Sequence, residues 1–194
     1  MKCLILCGGK GSRLAPLTRD TPKPLTDVNG KPCLDYIVEN LRQSGINQII
    51  LSLCHYPEKL VKYAQLNKLG YEIQAVDRGT AFALKKAAHL LTDPFLVCNG
   101  DTITNLNIKD MIEDFNLLKV KSNIEAMVFT KLKSVEHNGG TFIFTKGILD
   151  KIESGIEIPQ LLTKLTWVAT YNPEAYYYDI GDHERLEKAR KELA

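Results

Sequence analysis

An α/β fold follows from three observations in the amino-acid sequence. Short apolar runs alternate with stretches of helical periodicity through the first half of the chain. The resulting order, β-α-β-α-β-α-β, puts a helix between successive strands, which is the connection parallel strands require. A glycine cluster, Gly8-Gly9-Lys10-Gly11, directly follows the first apolar run, where a strand turns toward the next helix. Right-handed crossovers place helices on both faces of the sheet. The expected architecture is a three-layer α/β/α sandwich with a mostly parallel, Rossmann-like mixed sheet, built as one domain over residues 1–194.

The elements read in order as follows. Leu4 to Leu6 is a buried strand, and Leu34 to Ser44 a helix with Leu34, Ile37, Val38 and Leu41 on one face. Gly45 ends that helix, as glycine does just past a last turn. Ile49 to Leu53 is the second strand, and Pro57 opens a helix to about Asn67, since proline is tolerated in a first turn. Tyr71 to Val76 is a strand, Thr80 to Leu91 a helix, and Phe95 to Cys98 a strand that ends at Asn99-Gly100-Asp101. Ile108 to Leu118 is helical, Glu125 to Lys131 and Gly140 to Phe144 are strands, and Ile148 to Ile152 and Ile158 to Lys164 are short helices. Thr166 to Thr170 and Tyr176 to Tyr178 are strands, and His183 to Leu193 is a charged closing helix. The less regular second half is expected to pack onto the same sheet.

Composition narrows the function classes. A hydrophobic content of 44% with 25% charged residues is ordinary for a globular protein, so a full core is expected. A net charge of +2 is too small for bulk attraction to nucleic acid or a membrane, so any anion binding must be local. No apolar run approaches the roughly 18 residues of a membrane span. Cys3, Cys7, Cys33, Cys54 and Cys98 include no C-x-x-C pair and are odd in number, which argues for free thiols in a reducing cytoplasm.

Several residues have the chemistry of an anion site. Gly8, Gly9 and Gly11 let backbone N–H groups bend into an anion-binding concavity, although neither G-x-x-x-x-G-K-[ST] nor G-x-G-x-x-G is present. A plain glycine turn is the alternative. Arg13 has the planar fork that matches phosphate oxygens. Lys23, between Pro22 and Pro24, has an extended, fixed backbone, which suits a cation that must bring two anions together. Asp101, at a strand end, is suited to Mg²⁺, which prefers carboxylates with phosphate oxygens; a turn or cap aspartate is the other reading. Asp179 is a second candidate, while Asp182 is expected to cap the last helix with Arg185 and Glu187 on its solvated face. Gly79-Thr80 opens a helix after a strand, and Gln74 can hydrogen-bond a base edge; a tight turn and a buried polar side chain are the alternatives. In such sheets ligands collect beyond the carboxyl ends of the strands, so the glycine loop, the Gly79 turn and Asn99-Gly100-Asp101 are expected to face one crevice. His55, His89, His137 and His183 are scattered singly, with no nucleophile to make a hydrolase triad.

With these motifs in place, the chain resembles the sugar-1-phosphate nucleotidylyltransferases over nearly its whole length. Gly8-Gly9-Lys10-Gly11-Ser12-Arg13-Leu14 resembles the family's G-G-x-G-[ST]-R-L loop, and Pro16-Leu17-Thr18 and Pro22-Lys23-Pro24 its P-L-T and P-K-P elements. Gln74 with Gly79-Thr80-Ala81 is similar to the segment that meets base and ribose. Asn99-Gly100-Asp101, Asn138-Gly139-Gly140 and Tyr178-Asp179-Ile180-Gly181 resemble the N-G-D, N-x-G and F-x-D-I-G segments. The resemblance implies transfer of a nucleoside monophosphate from a nucleoside triphosphate to a sugar 1-phosphate, with release of pyrophosphate. It implies nucleotide binding by Leu6, Gly8, Gly9, Gly11, Ser12, Arg13, Gln74, Gly79 and Thr80. Arg13 and Lys23 are the implied catalytic residues, and Lys23, Asn138, Gly139 and Gly140 the implied contacts to the sugar phosphate. Asp101 and Asp179 are the implied Mg²⁺ ligands. The implied partners are the two substrates, with self-association left open, and neither nucleic acid nor membrane.

The sequence also departs from the family. The stretch from Asp101 to Asn138 is shorter than usual and has no Glu-Lys pair, whose lysine reaches the sugar phosphate in the family; Lys131 or Lys133 is left to substitute. Phe82 stands where a small residue is usual. The length resembles the short, single-domain form. Two alternatives stay open on the sequence: a phosphocholine-type cytidylyltransferase, and a nucleotide-binding regulatory subunit without turnover.

Overall fold

The computed structural model describes residues 1–131 and 138–194. Its strands are β1 (Cys3–Leu6), β2 (Asp27–Val28), β3 (Lys31–Pro32), β4 (Ile49–Leu53), β5 (Gly70–Ile73), β6 (Phe95–Asn99), β7 (Thr102–Thr104), β8 (Ala126–Thr130), β9 (Asn138–Phe144), β10 (Val168–Tyr171) and β11 (Tyr177–Asp179). The α-helices are α1 (Cys33–Gln43), α2 (Pro57–Leu66), α3 (Thr80–Ala87), α4 (Ile108–Ser122), α5 (Ile158–Thr163) and α6 (His183–Glu192).

The central sheet has seven strands in the order β10-β8-β9-β6-β1-β4-β5. β9 runs antiparallel to β6 and β8, and the other adjacent pairs are parallel. Both faces are covered, because side chains of a strand alternate between them. Cys3 and Ile5 of β1 pack on one side with Leu34, Ile37, Val38 and Leu41 of α1, and with α2, α4 and α6. Leu4 of the same strand packs on the other side with Ala81, Leu84 and Ala87 of α3 and Leu161 and Leu162 of α5. The three-layer mixed α/β sandwich is therefore present as expected.

The element boundaries differ in ways that have local causes. β5 stops at Ile73, short of Val76, because the backbone leaves the strand at Gln74, whose N–H still reaches Leu53 O at 2.8 Å, and continues toward Gly79. α3 ends at Ala87 and tightens into a 3₁₀ turn over Ala88–Leu90. α4 runs four residues beyond Leu118, to Ser122, and ends on Asn123 at φ 50°, a left-handed stop that asparagine tolerates. Residues Lys146–Lys151 form a 3₁₀ helix in place of the expected short helix at Ile148 to Ile152. The main correction concerns the second half. β8, β9 and β10 do join the central sheet, but β11 leaves it and pairs antiparallel with β7, a strand not expected from the sequence. Among the described residues no helix is long and apolar enough to cross a membrane.

One carboxylate ties down the sheet edge. Glu125, just before β8, accepts hydrogen bonds from the Thr166 N–H at 2.6 Å and from Lys151 Nζ at 2.5 Å, with the Trp167 N–H at 3.4 Å. Its partial burial opposes ionisation, but these donors outweigh that and hold its carboxyl below the usual range. A depressed folded-state pKa means the stabilisation is present above the ordinary carboxylate range and is lost as pH falls through the folded value. Glu125→Gln is therefore expected to cost about 1–2 kcal/mol at pH 7. In denaturant titrations the gap from the parent protein narrows below about pH 4.

Candidate active site

The carboxyl ends of the four parallel strands β1, β4, β5 and β6 open onto one cleft. Leu6 ends β1, Ser52 and Cys54 lie at the end of β4, Gln74 follows β5, and Asn99 ends β6. Gly8, Gly9, Asp77, Gly79, Thr80, Ala83, Asp101 and Glu157 complete the lining. The expectation that the glycine loop, the Gly79 turn and Asn99-Gly100-Asp101 face one crevice is met.

The loop after β1 packs closely. A Cβ on Gly8 would lie 3.1 Å from Cys54 Cβ, whereas Gly9 has open space beside it. Gly11 has φ +68° and starts the turn that carries Ser12, Arg13 and Leu14. Arg13 is exposed on that turn and does not line the cleft. Ser12 instead lines a second depression with Lys10, Thr18, Arg19, His55 and Tyr56. Lys10 and Ser12 of the loop thus border Arg19 and His55.

At the far end of the cleft, Gln74 is buried and donates from Nε2 to Ser52 Oγ at 2.9 Å. The α3 N-terminus is held from a distance. The Thr80 N–H donates to Glu157 Oε2 at 3.0 Å, and the Ile158 N–H donates back to Thr80 Oγ1 at 2.9 Å. The Gly79 N–H donates to Asp77 Oδ1 at 3.1 Å. Gly79 has φ +85°, and a Cβ there would sit 2.4 Å from Ile156 O. Glycine is therefore required at 79 by the backbone of residues 155–157, not only by the approach of a flat ligand.

The charged centre lies beside Asp101. Lys23 follows Pro22 and begins a 3₁₀ turn over Lys23–Leu25; its Nζ donates to Asp101 Oδ2 and lies 3.9 Å from Asp179 Oδ1. The ribbon of β7 and β11 makes this meeting possible. Asp179 stands opposite Thr102, and the Ile180 N–H donates to Asp101 O at 2.9 Å. The end of the chain is fastened to the Lys23 segment as well, by Arg190 Nη2 to Asp27 O at 2.8 Å and by a 2.9 Å contact between His183 Nε2 and Ala15 O. Asp182 caps α6 through the Arg185 N–H at 2.9 Å, as expected. Arg185 is exposed, as expected of the solvated face, and also donates from Nη1 to Asp179 Oδ2 at 2.8 Å.

The donor set fits a hard divalent cation. Asp179 Oδ1 is a buried carboxylate oxygen with no hydrogen-bond partner, a cost that a cation would remove. Among the described residues no group of three or more His, Cys, Asp and Glu gathers into an all-protein cage. A pair of carboxylates is what Mg²⁺ uses when phosphate oxygens and water complete its shell. Two thiols border the pair without adding charge. Burial, and then the nearby Asp101, push Cys7 and Cys33 well above the ordinary thiol range, so both stay protonated.

Asn138, Gly139 and Gly140 open β9 next to this centre. A Cβ on Gly140 would lie 3.0 Å from Asn99 Nδ2 and 3.1 Å from Thr102 Oγ1, and one on Gly139 would lie 2.3 Å from the Phe129 ring. Lys131 Nζ sits 5.4 Å from the centroid of Tyr177, whose ring borders Gly139. Lys133 and His137 lie outside the described residues. Sequence reasoning missed Ser52, Cys54, Asp77, Glu157 and Arg185. Asp77, two residues before Gly79, was the most accessible of these, while Glu157 and Arg185 act through contacts that only the fold creates.

Comparison with known proteins places this arrangement in context. The profile of the nucleotidyl transferase family matches residues 2–140. The chain is 32% identical over 161 residues to the bifunctional protein GlmU of Methanococcus maripaludis, an alignment that takes in 82% of this chain and 36% of that protein. The chain thus spans about a third of that relative. It is 29% identical over 175 residues to the D-glycero-alpha-D-manno-heptose 1-phosphate guanylyltransferase of Campylobacter jejuni, covering 77% of this chain and 78% of that one. Among solved structures, HddC from Yersinia pseudotuberculosis complexed with GMP-PN superposes with a TM-score of 0.83 at 25% identity, covering 100% of this chain and 99% of that one.

Proposed function

Because the chain belongs to the nucleotidyl transferase family, we propose that it is a sugar-1-phosphate nucleotidylyltransferase. The observation that carries this reading is the convergence of Lys23, Asp101 and Asp179 beside the glycine loop, at the edge of a cleft of about 280 Å³. That volume is close to the lower bound of about 300 Å³ for small-molecule sites. It suits the base and ribose, with the phosphates outside it over the glycine loop.

In this reaction an oxygen of the sugar 1-phosphate attacks the α-phosphorus of the triphosphate. The new P–O bond forms as the bond to the β-phosphate breaks, and pyrophosphate departs with the electron pair. The attacking oxygen is already anionic, so no general base is needed; positioning and charge neutralisation supply the rate. Asp101 and Asp179 would hold Mg²⁺, which spreads the negative charge of the α-phosphate and leaving group when bound. Lys23 neutralises the approach of one phosphate to the other. The Gly8–Gly9 backbone and Arg13 receive the triphosphate, and Gln74 and Gly79 meet the base. A cytoplasmic setting is supported by the five cysteines, all of them unpaired thiols.

Lys131, next to Tyr177 and Gly139, is the second cation proposed to receive the sugar phosphate, beside Lys23. Lys131→Ala is expected to raise the KM for sugar 1-phosphate about tenfold, the size of a lost charged hydrogen bond, while the KM for nucleotide stays unchanged.

The test is pyrophosphate release with Mg²⁺, crossing GTP, CTP, UTP and dTTP with heptose, mannose and glucose 1-phosphates and with phosphocholine. GTP with a heptose 1-phosphate is the first pair to try, from the guanylyltransferase relative. Release that needs one nucleotide and one sugar 1-phosphate supports the reading. Release only with CTP and phosphocholine replaces it, and nucleotide binding without release from any pair makes the chain a binding subunit.

A further inference from the structure

Lys23 occupies the place where a cation is needed between two carboxylates. Its side chain is 11% exposed, and those of Asp101 and Asp179 are 28% and 36% exposed. One ammonium does not satisfy the pair. It bonds Asp101, but Asp179 Oδ1, at 3.9 Å, lies beyond hydrogen-bond reach and is left without a partner. Arg185 supplies the other cation, on Asp179 Oδ2. Lys23 and Arg185 thus offset Asp101 and Asp179, and Arg185 is shared with Asp182 at 3.3 Å. A divalent ion added with the lysine in place meets two cations already present, so metal and lysine compete for the same carboxylates.

The lysine has somewhere to go. Its backbone is fixed by Pro22, Pro24 and the turn bonds Leu25 N–H to Pro22 O and Thr26 N–H to Lys23 O, so only the side chain moves. The stem lies against the glycine loop, since a Cβ on Gly11 would sit 3.2 Å from Lys23 Cβ. An ammonium released from Asp101 therefore stays tethered beside the loop proposed to receive the phosphates.

We infer that Lys23 is the resident counter-ion of the Asp101–Asp179 pair, and that a divalent metal takes the pair by displacing it toward the phosphates. Metal binding and delivery of Lys23 are then one exchange. The inference rests on the metal role proposed above for the two aspartates. It makes metal alone bind weakly and metal with triphosphate bind tightly, because the phosphates accept the released lysine. The coupling belongs in the range of about 5–150-fold usual for linked sites.

The test is Mn²⁺ binding to the whole chain without nucleotide, read from the electron paramagnetic resonance of free Mn²⁺, for the parent protein and Lys23→Met. The variant is expected to bind Mn²⁺ about tenfold tighter or more; equal or weaker binding overturns the exchange. Should Lys23→Met fail to fold, acetylation of Lys23 in the parent by acetic anhydride, followed by mass spectrometry, carries the test. Saturating Mn²⁺ raises its rate if the lysine is released, and an unchanged rate overturns the inference. The transfer reading stands or falls separately. Tighter Mn²⁺ binding with no pyrophosphate release from any pair keeps the exchange and removes the reaction, and release with equal Mn²⁺ affinities does the reverse.

Discussion

Asp101→Asn lowers Mg²⁺-dependent kcat about 1000-fold, several kcal/mol at the transition state. Asparagine keeps the size of the side chain and an oxygen for Thr102 Oγ1, which donates to Asp101 Oδ1 at 3.2 Å. The loss therefore comes from charge rather than shape. Lys23 also loses its nearer carboxylate, and Asp179 is left as the single anionic ligand. Because Gln74, Gly79 and the glycine loop are untouched and Lys23 is freed toward the phosphates, metal-free triphosphate affinity is equal to that of the parent or tighter. Stopped-flow pyrophosphate release and equilibrium nucleotide binding on the same preparation separate the two effects. Mg²⁺-dependent turnover within tenfold of the parent removes Asp101 from the metal site.

Gly79→Ala is expected to cost about 3 kcal/mol of stability, and nucleotide binding with it. Two effects add. The backbone at φ +85° disfavours any side chain, and the new Cβ would stand 2.4 Å from Ile156 O, a backbone atom that cannot rotate aside. Relief requires residues 155–157 to move back, which pulls Glu157 from the Thr80 N–H and frees the α3 N-terminus. For a chain of this size the melting temperature falls by about 6–12 °C. Gly9→Ala, with open space beside the added methyl, serves as the control and leaves stability within about 0.5 kcal/mol. Equal melting temperatures for the two variants remove the role given to the Ile156 contact.

The sequence is most legible where physics is local. The apolar periods of β1, α1, β4 and α2 and the stops at Gly45 and Pro57 depend on residues a few positions apart, and these elements stand within a residue or so of the expected bounds. The β7–β11 ribbon was not legible. Thr102–Thr104 is a three-residue strand whose ladder partner lies far along the chain, and Tyr176 to Tyr178 reads equally well as an edge of the main sheet. The site divides in the same way. Gly8, Gly9, Gln74, Gly79, Thr80 and Asp101 follow strand ends, so topology alone brings them to one cleft. Arg185 looks like one more charge on a solvated helix until the ribbon turns Asp179 toward it, and Glu157 looks like a cap for its own helix until it reaches across to Thr80.

The ribbon also sets how this protein can vary. Asp179 meets Lys23 because it is paired with Thr102, and side chains in a strand change face with every residue. Substituting a neighbour such as Tyr178 leaves that register alone. Adding or deleting a single residue between Ala175 and Asp179 turns the carboxylate to the opposite face, while the cleft around Gln74 and Gly79, built on other strands, keeps its form. Lineages descended from this chain can therefore change the identity of a residue such as Tyr178 more readily than the number of residues in this strand.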